Sequence, residues 1–201
     1  MADENALTAT DTQALRAALI GLIEERGLVA ITLDDISARA GVDATVVKAQ
    51  FKNKNKLLLA FENEVLSALR GFKAAIKQVK PADAMRLVAF KKPLPVIIDL
   101  FEYLRGESAF LHAVLGSNGH AKFNARLRKL MTDDIAAPIL RVVYSKDQGS
   151  AFLDYYTAYV GSAVVGVIEA WIAAGAPESS EEMAALLMRL LFFKPGDSIK
   201  K

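Results

Sequence analysis

Apolar side chains recur along most of this chain at intervals of three and four residues, the spacing of one face of an α-helix. Leu15, Ala18, Leu19, Leu22 and Ile23 mark the first such face, and Gly27 is placed to end it. Thr10 with Gln13, or Asp11 itself, can cap its start. Thr32-Leu33-Asp34-Asp35 joins an N-cap residue to first-turn acids and predicts a short second helix through Ala40. Gly41 stops that helix, Asp43 can cap a third running to about Phe51, and the apolar positions from Leu57 to Ile76 predict one long fourth helix. Pro81, Pro93, Pro95, Pro138, Pro177 and Pro195 punctuate the rest at distances suited to further helices. No stretch alternates with a period of two between hairpin turns, so the pattern predicts an all-α fold.

The most apolar stretch, Ala158 to Ala176, carries a single charge, Glu169. A charge at mid-span costs about 2.5–3.5 kcal/mol on insertion into a bilayer, and the flanks show no Lys/Arg asymmetry. Spacing explains the stretch better. Ala158, Ser162, Gly166, Ala170 and Ala174 recur every four residues and form a stripe that lets another helix approach closely. Ser179 and Glu182 cap a following helix with Met183, Leu186, Leu187, Leu190 and Leu191 on its apolar face. Two such helices suggest a bundle, either between subunits or within one chain. The candidate subunit interface is Ala158, Ser162, Gly166, Ala170, Leu187 and Leu191.

Composition narrows the chemistry. The chain has 201 residues, 53% of them hydrophobic, and no cysteine. It is long enough for a sizeable core and has no thiolate for a disulfide, a nucleophile or a Cys-ligated metal. Met1-Ala2-Asp3-Glu4 lacks the basic-then-apolar pattern of a signal peptide, which makes the cytoplasm the expected location. No HExxH, GxSxG or phosphate-binding glycine loop is present, so the expectation is a protein that is not an enzyme, without cofactor or metal.

The formal net charge of +2 conceals an asymmetry. Residues 1–38 hold two basic residues against seven acids, leaving −5, whereas residues 39–92 hold twelve against four, leaving +8. The remainder is −1. A basic block of this kind is a reason to consider a polyanion partner.

The block coincides with a helix-turn-helix pattern: a helix ending at Gly27, a short helix from Thr32, a turn at Gly41 and a third short helix. Val42, Val47 and Phe51 supply the apolar side of the third helix, leaving Ala44, Thr45, Lys48 and Ala49 outward, with Lys52, Lys54 and Lys56 following. Small outward residues admit a helix to the DNA major groove, and a rim of lysines can neutralise phosphates.

Residues 12–57 resemble the DNA-binding domain of the tetracycline-repressor (TetR) family of bacterial transcription regulators. The matching run is Ala18…Glu25-Arg26-Gly27…Ile31-Thr32-Leu33-Asp34-Asp35-Ile36-Ser37…Ala40-Gly41-Val42…Val47…Phe51-Lys52-Asn53-Lys54…Leu57-Leu58, without gaps. Phe110-Leu111…Leu115-Gly116-Ser117-Asn118-Gly119, Phe123 and Gly161…Gly166-Val167-Ile168…Trp171 are similar to the ligand-binding domains of one TetR-like subgroup. The resemblance implies a homodimer with a helix-turn-helix DNA-binding domain in residues 1–57. Residues 58–201 would then form a larger helical domain for effector binding and dimerisation through the last two helices.

Carried over by position, Thr32 would meet a phosphate at a helix N-terminus, Thr45 and Val46 would approach base edges, and Lys54 would bind phosphate. Two positions depart from the family. Lys48 stands where Tyr is usual, and Gln50 where His is usual; Lys48 would make an ionic contact, and Gln50 could still donate to phosphate. Ala44 and Ala49 remove side chains that often help to read sequence. The expected interface is thus Thr32, Thr45, Val46, Lys48, Ala49, Gln50, Lys52 and Lys54, relying on phosphates and DNA shape more than on base contacts.

The expected function is a DNA-binding repressor of a palindromic operator, released by a small, largely apolar effector. The alternative is a helical carrier or sensor of small molecules that has lost DNA binding. Phe101, His112, Asn118 and Tyr155 are the candidate effector residues, chosen among aromatic and polar-tipped side chains of the central region.

Overall fold

A computed structural model describes residues 7–90, 92–143 and 150–191. Among them every regular element is helical: α1 (Ala9–Arg26), α2 (Leu33–Ala40), α3 (Ala44–Phe51), α4 (Lys54–Gln78), α5 (Pro81–Ala89), α6 (Pro95–Gly106), α7 (Ser108–Leu115), α8 (Ala121–Leu130), a π-helical stretch (Met131–Ala136), α9 (Ala137–Val143), α10 (Ser150–Ala173) and α11 (Ser180–Leu191).

The chain divides into two compact units. The first comprises residues 1–67 and 109–124, and the second residues 68–108 and 125–201. One division falls inside α4, so that a single helix supplies both units.

The helix starts in the first unit are set by local hydrogen bonds. Thr32 and Asp35 form a reciprocal capping box on α2: the Asp35 N–H donates to Thr32 Oγ1 at 3.1 Å and the Thr32 N–H to Asp35 Oδ2 at 2.8 Å. Asp43 Oδ1 caps α3 by accepting from the Thr45 N–H at 2.6 Å. Gly41 ends α2 with φ 68°, left-handed backbone that glycine adopts without penalty. The start of α1 differs from the expected ones: Thr8 is the N-cap, boxed with Asp11, rather than Thr10 with Gln13 or Asp11 itself. A carboxylate accepts from both the Thr8 N–H and its hydroxyl, and sits favourably at the positive end of the helix.

The core of this unit gathers one face of each element. Leu15, Leu19 and Ile23 of α1, Ile36 of α2, Val47 of α3 and Leu57 of α4 are all essentially buried. The segment 109–124 packs in the same unit. Phe110 makes edge contacts with Phe61 and Phe123, and the Arg16 guanidinium lies 4.7 Å from the Phe110 ring centroid. The Leu28 N–H donates to the Asn118 carbonyl at 3.0 Å, and His120 Nδ1 lies 2.5 Å from the fully buried Glu62 carboxylate.

In the second unit Phe101 and Trp171 pack edge to face, 5.4 Å between centroids. The Arg105 guanidinium lies 5.2 Å from the Trp171 ring centroid and donates to the carbonyls of Ala176 and Glu178 in the turn before α11. Pro138 explains the π-helical stretch ahead of it. It has no N–H to give and its ring crowds the carbonyl one turn back, so the helix widens and the Ala137 N–H reaches Thr132 instead. α10 crosses this stretch at Gly161, where a Cβ would stand 2.9 Å from Thr132 Cα.

α10 is also the one helix among the described residues long and apolar enough to cross a membrane, with a mean hydropathy of 1.3 over its most apolar window. Val160, Val164, Val165, Ile168 and Trp171 of this helix are buried in the unit's own core.

Candidate nucleic-acid interface

α2 packs on α3, Ile36 and Val47 are fully buried, and burial of that face turns the other side of α3 outward. Thr45, Lys48, Ala49 and Gln50 are exposed and Lys52 follows them, whereas Val46 is half-buried. Six of the eight residues assigned to DNA thus have exposed side chains: Thr32, Thr45, Lys48, Ala49, Gln50 and Lys52.

Their electrostatic surroundings add what linear spacing cannot show. Lys48 Nζ lies 2.6 Å from Asp34 Oδ1, an exposed ion pair between α3 and the first turn of α2. Arg39 grips Glu25 with two bonds of 2.6 Å, and Arg26 lies 3.6 Å from Asp35. Lys52 and Lys56 carry no internal acidic partner among the described residues, whereas the Lys48 ammonium is already engaged by Asp34. Linear spacing does not reveal this pair, because Asp34 and Lys48 lie fourteen positions apart.

Thr32 already serves the α2 cap, and its hydroxyl also donates to Asp35 Oδ2 at 2.6 Å. This bond, and then the Thr32 backbone N–H, holds the Asp35 carboxyl below its ordinary value of 3.8. Lys54, expected to bind phosphate, already has partners within the chain. Its ammonium is part-buried and donates to three backbone carbonyls, those of Leu28, Val29 and Ile31.

The four candidate effector residues are divided between the two units, and the two in the second unit differ in exposure. Phe101 is fully buried against Trp171, whereas Tyr155 is 81% exposed on α10. His112 and Asn118 belong to the first unit, with His112 Nδ1 3.4 Å from Glu24 and Asn118 beside Gly27. A cavity of about 360 Å³ in the second unit is lined by other residues: Asp83, Arg86, Leu87, Phe90 and Lys92. Among the described residues no cluster of three or more His, Asp or Glu side chains is placed to hold a metal.

The interface candidates divide. Ala158, Ser162, Gly166 and Ala170 are all exposed, on the side of α10 that also carries Tyr155 and Tyr159. Leu187 and Leu191 are not: both are buried within the chain, where α11 packs on α6. The neighbouring column, Leu186 and Leu190, is the exposed one, with Leu190 53% accessible.

Comparison with known proteins places this geometry. Residues 15–61 match the family described as bacterial regulatory proteins, tetR family, and residues 91–192 match a transcriptional regulator C-terminal region of the same group. No curated protein sequence is a significant match. Among solved structures, the SmeT–triclosan complex is 19% identical with a TM-score of 0.66, covering 96% of this chain and 98% of that one. The fatty acid degradation regulator FadR from Bacillus halodurans is 12% identical with a TM-score of 0.65, over 92% and 96%. A FadR from Bacillus subtilis in complex with stearoyl-CoA is 17% identical with a TM-score of 0.60, over 89% and 96%. At these identities the likeness is one of fold.

Proposed function

The chain belongs to the tetR family of bacterial regulatory proteins, and on that premise we propose that it is a repressor that binds a palindromic operator as a homodimer and releases it on binding a small, largely apolar effector. The observation that carries the reading is the exposed face of α3, with Thr45, Lys48, Ala49 and Gln50 clear of the core and Lys52 beyond them. Small residues at its centre let the helix enter a major groove, while Lys48, Lys52 and Lys56 reach for phosphates on either side. Thr45 is the residue for base edges, where its methyl can meet thymine.

A second copy is the natural partner of the exposed side of α10. Ala158, Ser162, Gly166 and Ala170 offer a shallow stripe flanked by Tyr155 and Tyr159, and Leu186 and Leu190 of α11 add an apolar column. Burying these against a symmetry-related copy would remove apolar surface from water and set two recognition helices for two half-sites. The half-sites would lie about 34 Å apart, or a multiple of that distance.

Release is read as a population shift. The effector must bind one state more tightly than the other, and the favoured state must hold the two recognition helices at a spacing that no longer fits the operator. The second unit, with its aromatic interior and the cavity beside Phe90, is where effector binding is to be sought. A protein working on chromosomal DNA would reside in the cytoplasm.

The test is an anisotropy titration against the DNA flanking the chain's own coding region, repeated across salt. A preferred palindromic segment and a steep fall of affinity with salt support the reading. No binding even at low salt would overturn it in favour of a small-molecule carrier or sensor.

A further inference from the structure

The first residue of α4 carries a cation that the protein itself already coordinates. Lys54 Nζ donates to the carbonyl oxygens of Ile31 at 2.5 Å, Leu28 at 2.7 Å and Val29 at 3.0 Å. An ammonium has three N–H donors and no acceptor, so these three bonds use its whole capacity. The carbonyls belong to the turn between α1 and α2, outside any helical ladder, where each needs a donor from elsewhere. Thr32, which caps α2, follows directly on Ile31. The same positive charge also helps to hold the Asp35 carboxyl low, although the Thr32 hydrogen bonds contribute more. From the other side, α3 reaches α4 through Lys52 and Asn53 alone.

We propose that Lys54 is a positioning residue for DNA reading and not a phosphate ligand. It pins the α1–α2 turn, and through that turn the cap of α2, to the start of α4, so that α2, α3 and the beginning of α4 meet DNA as one body. The last step rests on the DNA-binding reading above; the pin itself can be measured without DNA.

A phosphate contact and a carbonyl cage make opposite demands on the side chain. Phosphate accepts any nearby cation, and arginine serves it well. Three carbonyls converging on one point suit a compact ammonium, whereas a planar guanidinium spreads its donors over a fork. Loss of a phosphate contact also lowers the salt slope, whereas loss of a positioning contact changes how well the reading surface fits.

The experiment uses the full chain as wild type, Lys54→Met and Lys54→Arg. Amide hydrogen exchange is followed at Leu28 and Ala30, whose N–H groups bond to Asn118 and Gly27 around the pinned turn. Anisotropy is measured across salt with the coding-region flanking fragment and a scrambled duplex of equal length. The expected result is faster exchange at both amides in both variants. Preference for the flanking fragment falls by about an order of magnitude, as when one reading contact is lost, while affinity for the scrambled duplex holds. The slope of log affinity against log salt also stays unchanged. A merely structural role would lower both affinities together and leave that preference intact. The proposal is overturned if Lys54→Met lowers the salt slope by about 0.9 while exchange is unchanged and Lys54→Arg restores binding. If Lys54→Met does not fold, Lys54→Arg carries both measurements. If wild type prefers neither duplex, the DNA-binding reading fails, and exchange alone then decides the pin: unchanged rates remove it.

Discussion

Lys48 of the recognition helix and Asp34 of the preceding helix are joined by an ion pair of 2.6 Å, both side chains more than half exposed. The pair places an acid at the edge of the surface proposed to face a polyanion. In water it stabilises the fold little, since exposed pairs contribute about 0–1 kcal/mol. Its consequence lies in binding, because phosphate must compete with Asp34 for the same ammonium.

Removing that competitor should strengthen DNA binding without choosing among sequences. Asp34→Asn is expected to raise affinity for specific and scrambled duplexes alike, and Lys48→Ala to lower both and reduce the salt slope by about one. In the Lys48→Ala background the gain from Asp34→Asn should largely disappear. Anisotropy on the four proteins of this double-mutant cycle measures the coupling. An equal gain in both backgrounds would mean that Asp34 acts only as a nearby negative charge.

Acid should weaken the helix caps before it weakens the core. Asp35 is held below its ordinary value of 3.8 by its bonds to Thr32, and Asp11, Asp43 and Glu182 are lowered in the same way by Thr8, Thr45 and Ser179. A carboxyl lowered in the folded state contributes stability that is present above its unfolded value and is lost as pH falls through the folded one. The gap in urea midpoint between wild type and Asp35→Ala should therefore be full at neutral pH and close below about pH 4, the ordinary carboxylate range. A gap that stays constant into acid would show that the cap is not carried by the charged carboxylate.

Gly161 is expected to be the least replaceable glycine of α10. Its missing Cβ would lie 2.7 Å from Thr132 Cβ and 2.9 Å from Thr132 Cα, and these atoms cannot rotate away. Gly161→Ala should cost about 1–3 kcal/mol by overpacking, read from denaturant unfolding. Gly71 of α4 is the control, with nothing within 4 Å of its Cβ position. There alanine should stabilise the helix, by up to about 1 kcal/mol.

Subunit pairing can be separated from folding by two leucines of α11 three positions apart. Leu190→Asp and Gly166→Leu change exposed positions of α11 and α10, and should leave the circular dichroism intact while lowering the mass seen by light scattering toward that of one chain. Leu187→Ala changes a residue 3% exposed and should cost about 2–5 kcal/mol of stability by leaving a cavity. An unchanged mass in both surface variants would remove α10 and α11 as the interface.

These residues also show what could be read along the chain. The caps at Thr32, Asp43 and Ser179 were legible because donor and acceptor lie within three residues. The start of α1 was not placed at Thr8 but at Thr10 or Asp11, since Thr8 with Asp11 and Thr10 with Gln13 share one spacing and the carboxylate is the stronger acceptor. The exposed face of α3 was legible from its apolar period. The burial of the candidate effector residues was not: an aromatic residue looks the same in sequence whether it ends buried, as Phe101 does, or exposed, as Tyr155 does.

By itself the sequence determined the helical class, the end of α1, the ends of α2 and α3, the start of α11 and the helix-turn-helix pattern, because these depend on contacts within a turn or two of the chain. Only the tertiary structure decided which column of α11 turns inward, since Leu186 with Leu190 and Leu187 with Leu191 lie side by side on one apolar face until packing within the unit buries one of them. It also decided how the lysines are used. Lys48 faces Asp34 and Lys54 faces three carbonyls of the α1–α2 turn, whereas Lys52 finds no acid among the described residues. A charge is written in the sequence, but its partner is set by distances through space between residues far apart in the chain.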